Sequence, residues 1–113
     1  MMIDCSYAQV GKSLGLPTHA YLCMSDAKVV DTQCGFESGI GATLGALAGI
    51  NMISGPGMLD FESCFSLEKL VIDAEIVGMA KRLVAGVDDS EEPLALHVMR
   101  EVGHAGNFLK SKH

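Results

Sequence analysis

An α/β fold with strands paired in parallel is what this sequence predicts, on three observations. Two short strand-like runs, THAYLC (Thr18–Cys23) and INMIS (Ile50–Ser54), alternate with segments of helical periodicity, in the order helix, strand, helix, strand, helix, helix. Strands separated by helices pair in parallel through a crossover. A two-stranded parallel sheet leaves two unpaired edges, and the longest helix pattern is apolar on two faces. The chain therefore reads as incomplete by itself: a partial (β/α) TIM-barrel segment from a closed barrel of about 250 residues or more, or an oligomer that covers the edges.

Each element has a local reason. Residues 2–14 are helical in pattern, with Ile3, Tyr7, Val10 and Leu14 three or four apart, Gly15 placed to end the helix and Pro17 to stop it. Thr18–Cys23 lies between Pro17 and Ser25-Asp26 and reads as a strand. A helix follows from about Thr32 to Leu47, in which Gly41, Gly45 and Gly49 fall four apart and predict a neighbour packed against the backbone. Glycine in a helix costs about 1 kcal/mol relative to alanine. Ile50–Ser54 is short and uncharged, as strands buried on both faces are. Gly55-Pro56-Gly57 makes the turn out of it. Ser66 caps a helix over Leu67–Ala85, and Lys69 stands where a capping box wants Glu. Gly86 ends that helix, and a last one is predicted over Glu91–Val102 with Pro93 in its first turn.

Composition excludes several functions. Of 113 residues 19% are charged, and the formal charge of −6 with scattered Lys and Arg disfavours a nucleic-acid partner. Ser38–Leu59 carries no charge, but six glycines, Asn51 and Pro56 fall within it, so it is not read as a membrane span. Residues 1–15 show no secretory pattern, and Cys5, Cys23, Cys34 and Cys64 form no CxxC. Reduced thiols in the cytoplasm are expected. His19, His97, His104 and His113 share no metal spacing, and no metal bound by the chain itself is expected. A nucleotide-binding module fails for want of GxGxxG or GxxxxGK[ST].

The polar groups concentrate after the first strand, in CMSDAKVVDTQCGFE. The blocks LPTHAYLCMSDAKVVDTQCGFE, ALAGINMISGPGML, SLEKLVIDAEIVGMAKRLVAGV and LALHVMREVGHAGNFL cover nearly the whole chain. Together they resemble the C-terminal part of the trimethylamine methyltransferase family. The resemblance implies that residues 1–113 are one segment of a (β/α) barrel methyltransferase domain. It also implies transfer of a methyl group from a methylated amine to the cobalt of a corrinoid (cobalamin) carried by a partner protein. In the trimethylamine-specific branch pyrrolysine stands just before SDAK; here that position is Met24. The chain thus resembles the branch without pyrrolysine, whose substrates are quaternary amines such as glycine betaine.

On that resemblance the substrate-binding candidates are Tyr21, Met24, Asp26, Lys28, Asp31 and Gln33, at and after the carboxyl end of the first strand. A quaternary ammonium has no N–H to donate, so carboxylates (Asp26, Asp31) and aromatic faces (Tyr21, Phe36, Phe61) are the groups that recognise it. Lys28 or the amides near GPG suit a substrate carboxylate. No nucleophilic side chain is expected, because the amine leaves neutral and the task is positioning and exclusion of water.

Each group has a plainer reading as well. Asp26 and Asp31 suit the start of the helix near Thr32, Lys28 a carboxylate partner, Met24 a core, and Glu37 solvent or a neighbouring helix. Glu62 and Ser63 lie in the loop after the second strand without further support. Asp73 and Glu75 read as helix-surface or interhelical charges. The competing functional reading is a truncated, catalytically inactive chain that self-associates.

Overall fold

The computed structural model describes residues 1–88 and 94–112. Its elements are α1 (Met2–Ser13), β1 (His19–Tyr21), α2 (Thr32–Leu47), β2 (Met52–Ser54), β3 (Met58–Leu59), β4 (Cys64–Phe65), α3 (Leu67–Ala85), α4 (Leu96–Val102) and a 3-10 turn at Phe108–Lys110. The class is α/β. β1 and β2 pair in parallel, with His19 opposite Met52, Ala20 opposite Ile53 and Tyr21 opposite Ser54.

α2 and α3 have the predicted bounds because their caps are explicit in the sequence. The Asp31 carboxylate accepts the Cys34 N–H at 3.0 Å, and the Ser66 hydroxyl accepts the Lys69 N–H at 3.2 Å. Gly86 closes α3 at φ 74°, and Gly15 follows α1 at φ 71°. The strands are shorter than predicted. At their start the Asn51 side chain accepts the Thr18 N–H at 3.0 Å. At their end Leu22 and Cys23 both send their N–H to the Ser54 carbonyl, each at 3.2 Å, and the ladder stops.

Three expectations need correction. Gly49 is not on the α2 face: it lies past the helix at φ 67°. Gly41 and Gly45 do mark a close approach, since a Cβ at Gly41 would lie 1.7 Å from the Leu22 carbonyl oxygen and one at Gly45 2.7 Å from Ile53 Cδ1. The last helix does not begin at Glu91. Residues 89–93, with Pro93, lie outside the described ones, and Ala95 at φ 46° is left-handed, so helical backbone starts at Leu96. Finally, an antiparallel hairpin follows the GPG turn where only a loop was foreseen. Met58 pairs with Phe65 and Leu59 with Cys64, across a connection holding Asp60, Phe61 and Glu62 at φ 47°, 55° and 73°.

The core is small and made of small side chains. Ala8, Ala20, Leu22 and Ile50 form one cluster; Cys23, Ala42 and Ala80, with Ile76 and Val77 beside them, form another between α2 and α3. The uncharged run Ser38–Leu59 is α2 from Ser38 onward, β2, the GPG turn and β3, and among the described residues no helix is long and apolar enough to cross a membrane. α3 keeps its second apolar face bare: Leu67 is 70% exposed and Val71 73%.

Candidate functional site

β1 delivers its chain to a loop, residues 22–31, that is stitched to the neighbouring elements. The Ser25 N–H donates to the Met58 carbonyl at 3.2 Å, and the Asp60 N–H donates to the Ala27 carbonyl at 3.0 Å. The buried Ser25 hydroxyl accepts the Ala27 N–H at 3.0 Å and donates to Glu37 Oε2 at 2.6 Å. The same carboxylate oxygen accepts the Asp26 N–H at 2.9 Å, and Gln33 Nε2 donates to Oε1 at 2.9 Å. Glu37 is thus clamped from three sides. The Ser25 hydroxyl first, then Gln33 and the Asp26 amide, hold its carboxyl below the usual carboxylate range.

Around this clamp an open cavity of about 250 Å³ is lined by Met1, Tyr21, Leu22, Met24, Asp26 and Glu37. Three of the six predicted site residues, Tyr21, Met24 and Asp26, meet there. Tyr21 is half-exposed and stands edge-on to His19, ring centres 5.2 Å apart, while His19 Nε2 shares a 2.7 Å hydrogen bond with Ser54 Oγ. Gln33 reaches the cavity through Glu37. Asp31 is the α2 cap and Lys28 is bridged to Asp60 at 2.8 Å, so neither lines the cavity. Phe36 and Phe61 are two-thirds exposed and outside its lining. Glu37, read from sequence as a solvated or interhelical charge, is the carboxylate that organises the loop. Its spacing of four from Gln33 on a helix was the available signal.

A second polar cluster lies between α2, α3 and the GPG turn. Lys69 and Asp73, one helical turn apart, are both 0% exposed and ion-paired. Lys69 Nζ donates to Ser38 Oγ at 2.8 Å, and Asp73 Oδ2 accepts the Gly57 N–H at 2.7 Å. Asp73 is therefore no surface charge, whereas Glu75 is exposed as foreseen. Cys23 and Cys34 are buried nearby. Burial, and next the Asp73 charge, push the Cys23 thiol up to about 11; burial also raises Cys34. Among the described residues no group of three or more His, Cys, Asp or Glu is arranged to hold a metal ion.

Comparison with known proteins gives one consistent result. The family profile described as Trimethylamine methyltransferase (MTTB) matches residues 1–113. A trimethylamine methyltransferase of Methanosarcina barkeri is 42% identical over 111 residues, 98% of this chain and 22% of the relative. Another, from Desulfitobacterium hafniense, is 35% identical over 112 residues, covering 99% of this chain and 23% of its own length. A glycine betaine methyltransferase of D. hafniense is 34% identical over 107 residues, 94% of this chain and 22% of the relative. The chain thus spans less than a quarter of the length of these curated relatives.

Proposed function

Because the chain belongs to the trimethylamine methyltransferase family, we propose that it supplies the amine-binding wall of an enzyme that moves a methyl group from a quaternary amine, such as glycine betaine, to the cobalt of a corrinoid protein. The observation that carries this reading is the cavity at the carboxyl end of β1, where Tyr21, Met24, Asp26 and Glu37 face one space. A permanently charged ammonium is held there by two carboxylates and an aromatic ring, without any need for a hydrogen-bond acceptor aimed at an N–H. Met24 adds a thioether wall that suits N-methyl groups. Asp31 and Gln33 act through Glu37, the first by capping its helix and the second by bonding its carboxylate.

The corrinoid, carried by the partner protein, supplies a cobalt nucleophile able to accept the methyl carbon. This chain's groups orient the N–CH3 bond and exclude water. The nitrogen keeps the bonding electron pair and departs as a neutral tertiary amine, so no side chain has to deliver a proton. That fits a cavity whose charged side chains are the carboxylates of Asp26 and Glu37.

β1 and β2 in parallel, α2 as their crossover and functional groups on the loops after the strands are the features of a (β/α) barrel segment. The remainder of the barrel is the cover for the bare face of α3 and for the apolar groove of about 460 Å³ between Ala42, Ala46, Ile53, Val77, Ala80 and Val84. The share of the relatives' length that lies outside this chain is ample to supply it.

The test is a panel of glycine betaine, other quaternary amines and trimethylamine, each incubated with the protein and a reduced corrinoid protein, with the demethylated amine measured. Product from quaternary amines alone supports the proposal. Product from trimethylamine would overturn the choice of substrate, and product from none would favour the inactive, self-associating alternative.

A further inference from the structure

A charged pair enclosed away from solvent is a poor stabilising device, because desolvation offsets most of its attraction. The Lys69–Asp73 pair is also imperfectly satisfied: Asp73 Oδ1 is buried without a hydrogen-bond partner among the described residues. What the pair does have is reach, toward both walls of the cavity. Through Ser38, Lys69 holds α2 at the residue next to Glu37, whose carboxylate carries Ser25 and the Asp26 amide. Through the Gly57 amide, Asp73 holds the turn that backs Met24. In that turn Gly55 lies so close that a Cβ on it would stand 2.9 Å from Met24 Cβ and 3.0 Å from the Cys23 carbonyl carbon. Gly57 is fixed from its other side by Ser66, whose N–H donates to the Gly57 carbonyl at 2.9 Å.

We propose that Lys69 and Asp73 are the positioning pair of the amine cavity: they touch no substrate, and they set where Glu37 and Met24 stand relative to each other. The proposal rests on reading that cavity as the amine site, but its geometry is testable without any amine. One ionic link buried behind two walls fixes the distance between them more tightly than the sparse core of alanines and cysteines does. In some proteins a buried charged pair selects one arrangement where apolar packing tolerates several, and that is the role assigned to this one.

The experiment is amide hydrogen exchange on the full 113-residue chain, comparing wild type with S38A and with the charge-free double variant K69M/D73L. S38A cuts only the link to α2. The Asp26 amide, which bonds to Glu37, is expected to exchange about tenfold faster, while the Gly57 amide and the Met52 amide of the β-ladder keep their rates. K69M/D73L removes both links while filling the space, so Gly57 and Asp26 are both expected to exchange faster with Met52 unchanged. A80G, which loosens the same two helices away from the pair, is the reference for general destabilisation.

Unchanged Asp26 exchange in S38A overturns the proposal whether or not the double variant folds. So does acceleration of Asp26 and Met52 in step, as in A80G. Calorimetry with glycine betaine is run separately. If wild type binds none, the amine reading fails while the exchange rates still decide the positioning; if it binds, K69M/D73L is expected to weaken binding about tenfold, and equal affinity overturns the proposal.

Discussion

Glu37 shows how much one carboxylate can organise when it accepts three hydrogen bonds from the loop and its own helix. Its folded-state pKa lies below the ordinary 4.5, chiefly through the Ser25 hydroxyl. A depressed carboxylate stabilises the fold above its unfolded pKa, and the contribution disappears as pH falls through the folded value. The loop at Ser25 and Asp26 is therefore expected to loosen below pH 4.5, seen as movement of those amide resonances, and E37Q should abolish the titration. The cysteines make a second residue-level prediction. Thiolate is the reactive form, so at mildly alkaline pH the exposed Cys64 should alkylate quickly while Cys23, with its pKa near 11, and Cys34 react only on unfolding; site-resolved mass spectrometry reads this directly. The nearness of Tyr21, Met24 and Asp26 to one another was legible in the sequence, because the first ends a strand and the other two stand on the loop directly after it. Glu37 and Asp73 were not, because each has one partner a helical turn away, Gln33 and Lys69, but the others that define its role lie 11 to 16 residues distant and the chain must fold to bring them together.

Among the elements, α2 carries the clearest consequence. It crosses the end of β1 so closely that Gly41 has no room for a methyl group, whereas a Cβ at Gly39 meets nothing within 4 Å. G41A is expected to destabilise the fold by about 3 kcal/mol or more through overpacking against backbone. G39A is expected to stabilise it by up to about 1 kcal/mol through helix propensity. Urea unfolding of the two variants separates a glycine that packing requires from one that it does not. On α3, D73A leaves Lys69 enclosed without its partner carboxylate, and a loss of about 3–5 kcal/mol is expected by the same measurement. Helices α2 and α3 were legible to the residue because Asp31 and Ser66 are side-chain caps whose effect is local. The β3–β4 hairpin was not, since two-residue strands leave no period to detect and DFES contains none of the glycine or asparagine that left-handed backbone favours.

The molecule as a whole is extended for its length. Its surface is 8069 Å², against roughly 5,900 Å² for a compact protein of this mass. Its radius of gyration is 19.2 Å, against about 13 Å for a compact domain of this size. Leu67, Val71, Met79 and Leu83 of α3 are more than half exposed, on a row broken by exposed Glu75, and leave apolar surface of the kind that seeks a partner. Light scattering on the isolated chain is expected to show a discrete assembly larger than its 11.9 kDa. A compact monomer would contradict the reading that another part of a barrel, or a second copy, covers these faces.

What the sequence by itself determined is whatever depends on near neighbours: helix caps, the glycines that close α1 and α3, strand–helix alternation and hence parallel pairing, and the polar loop after β1. The motif blocks, read together, carried the family. Only the tertiary structure decided which of the loop's polar groups share a cavity, that Glu37 clamps the loop, and that Lys69 and Asp73 are enclosed behind it. Hydrogen bonds and burial between residues 11 to 35 apart are set by how α2 and α3 pack on the sheet. No window of sequence short enough to show a periodicity contains that geometry.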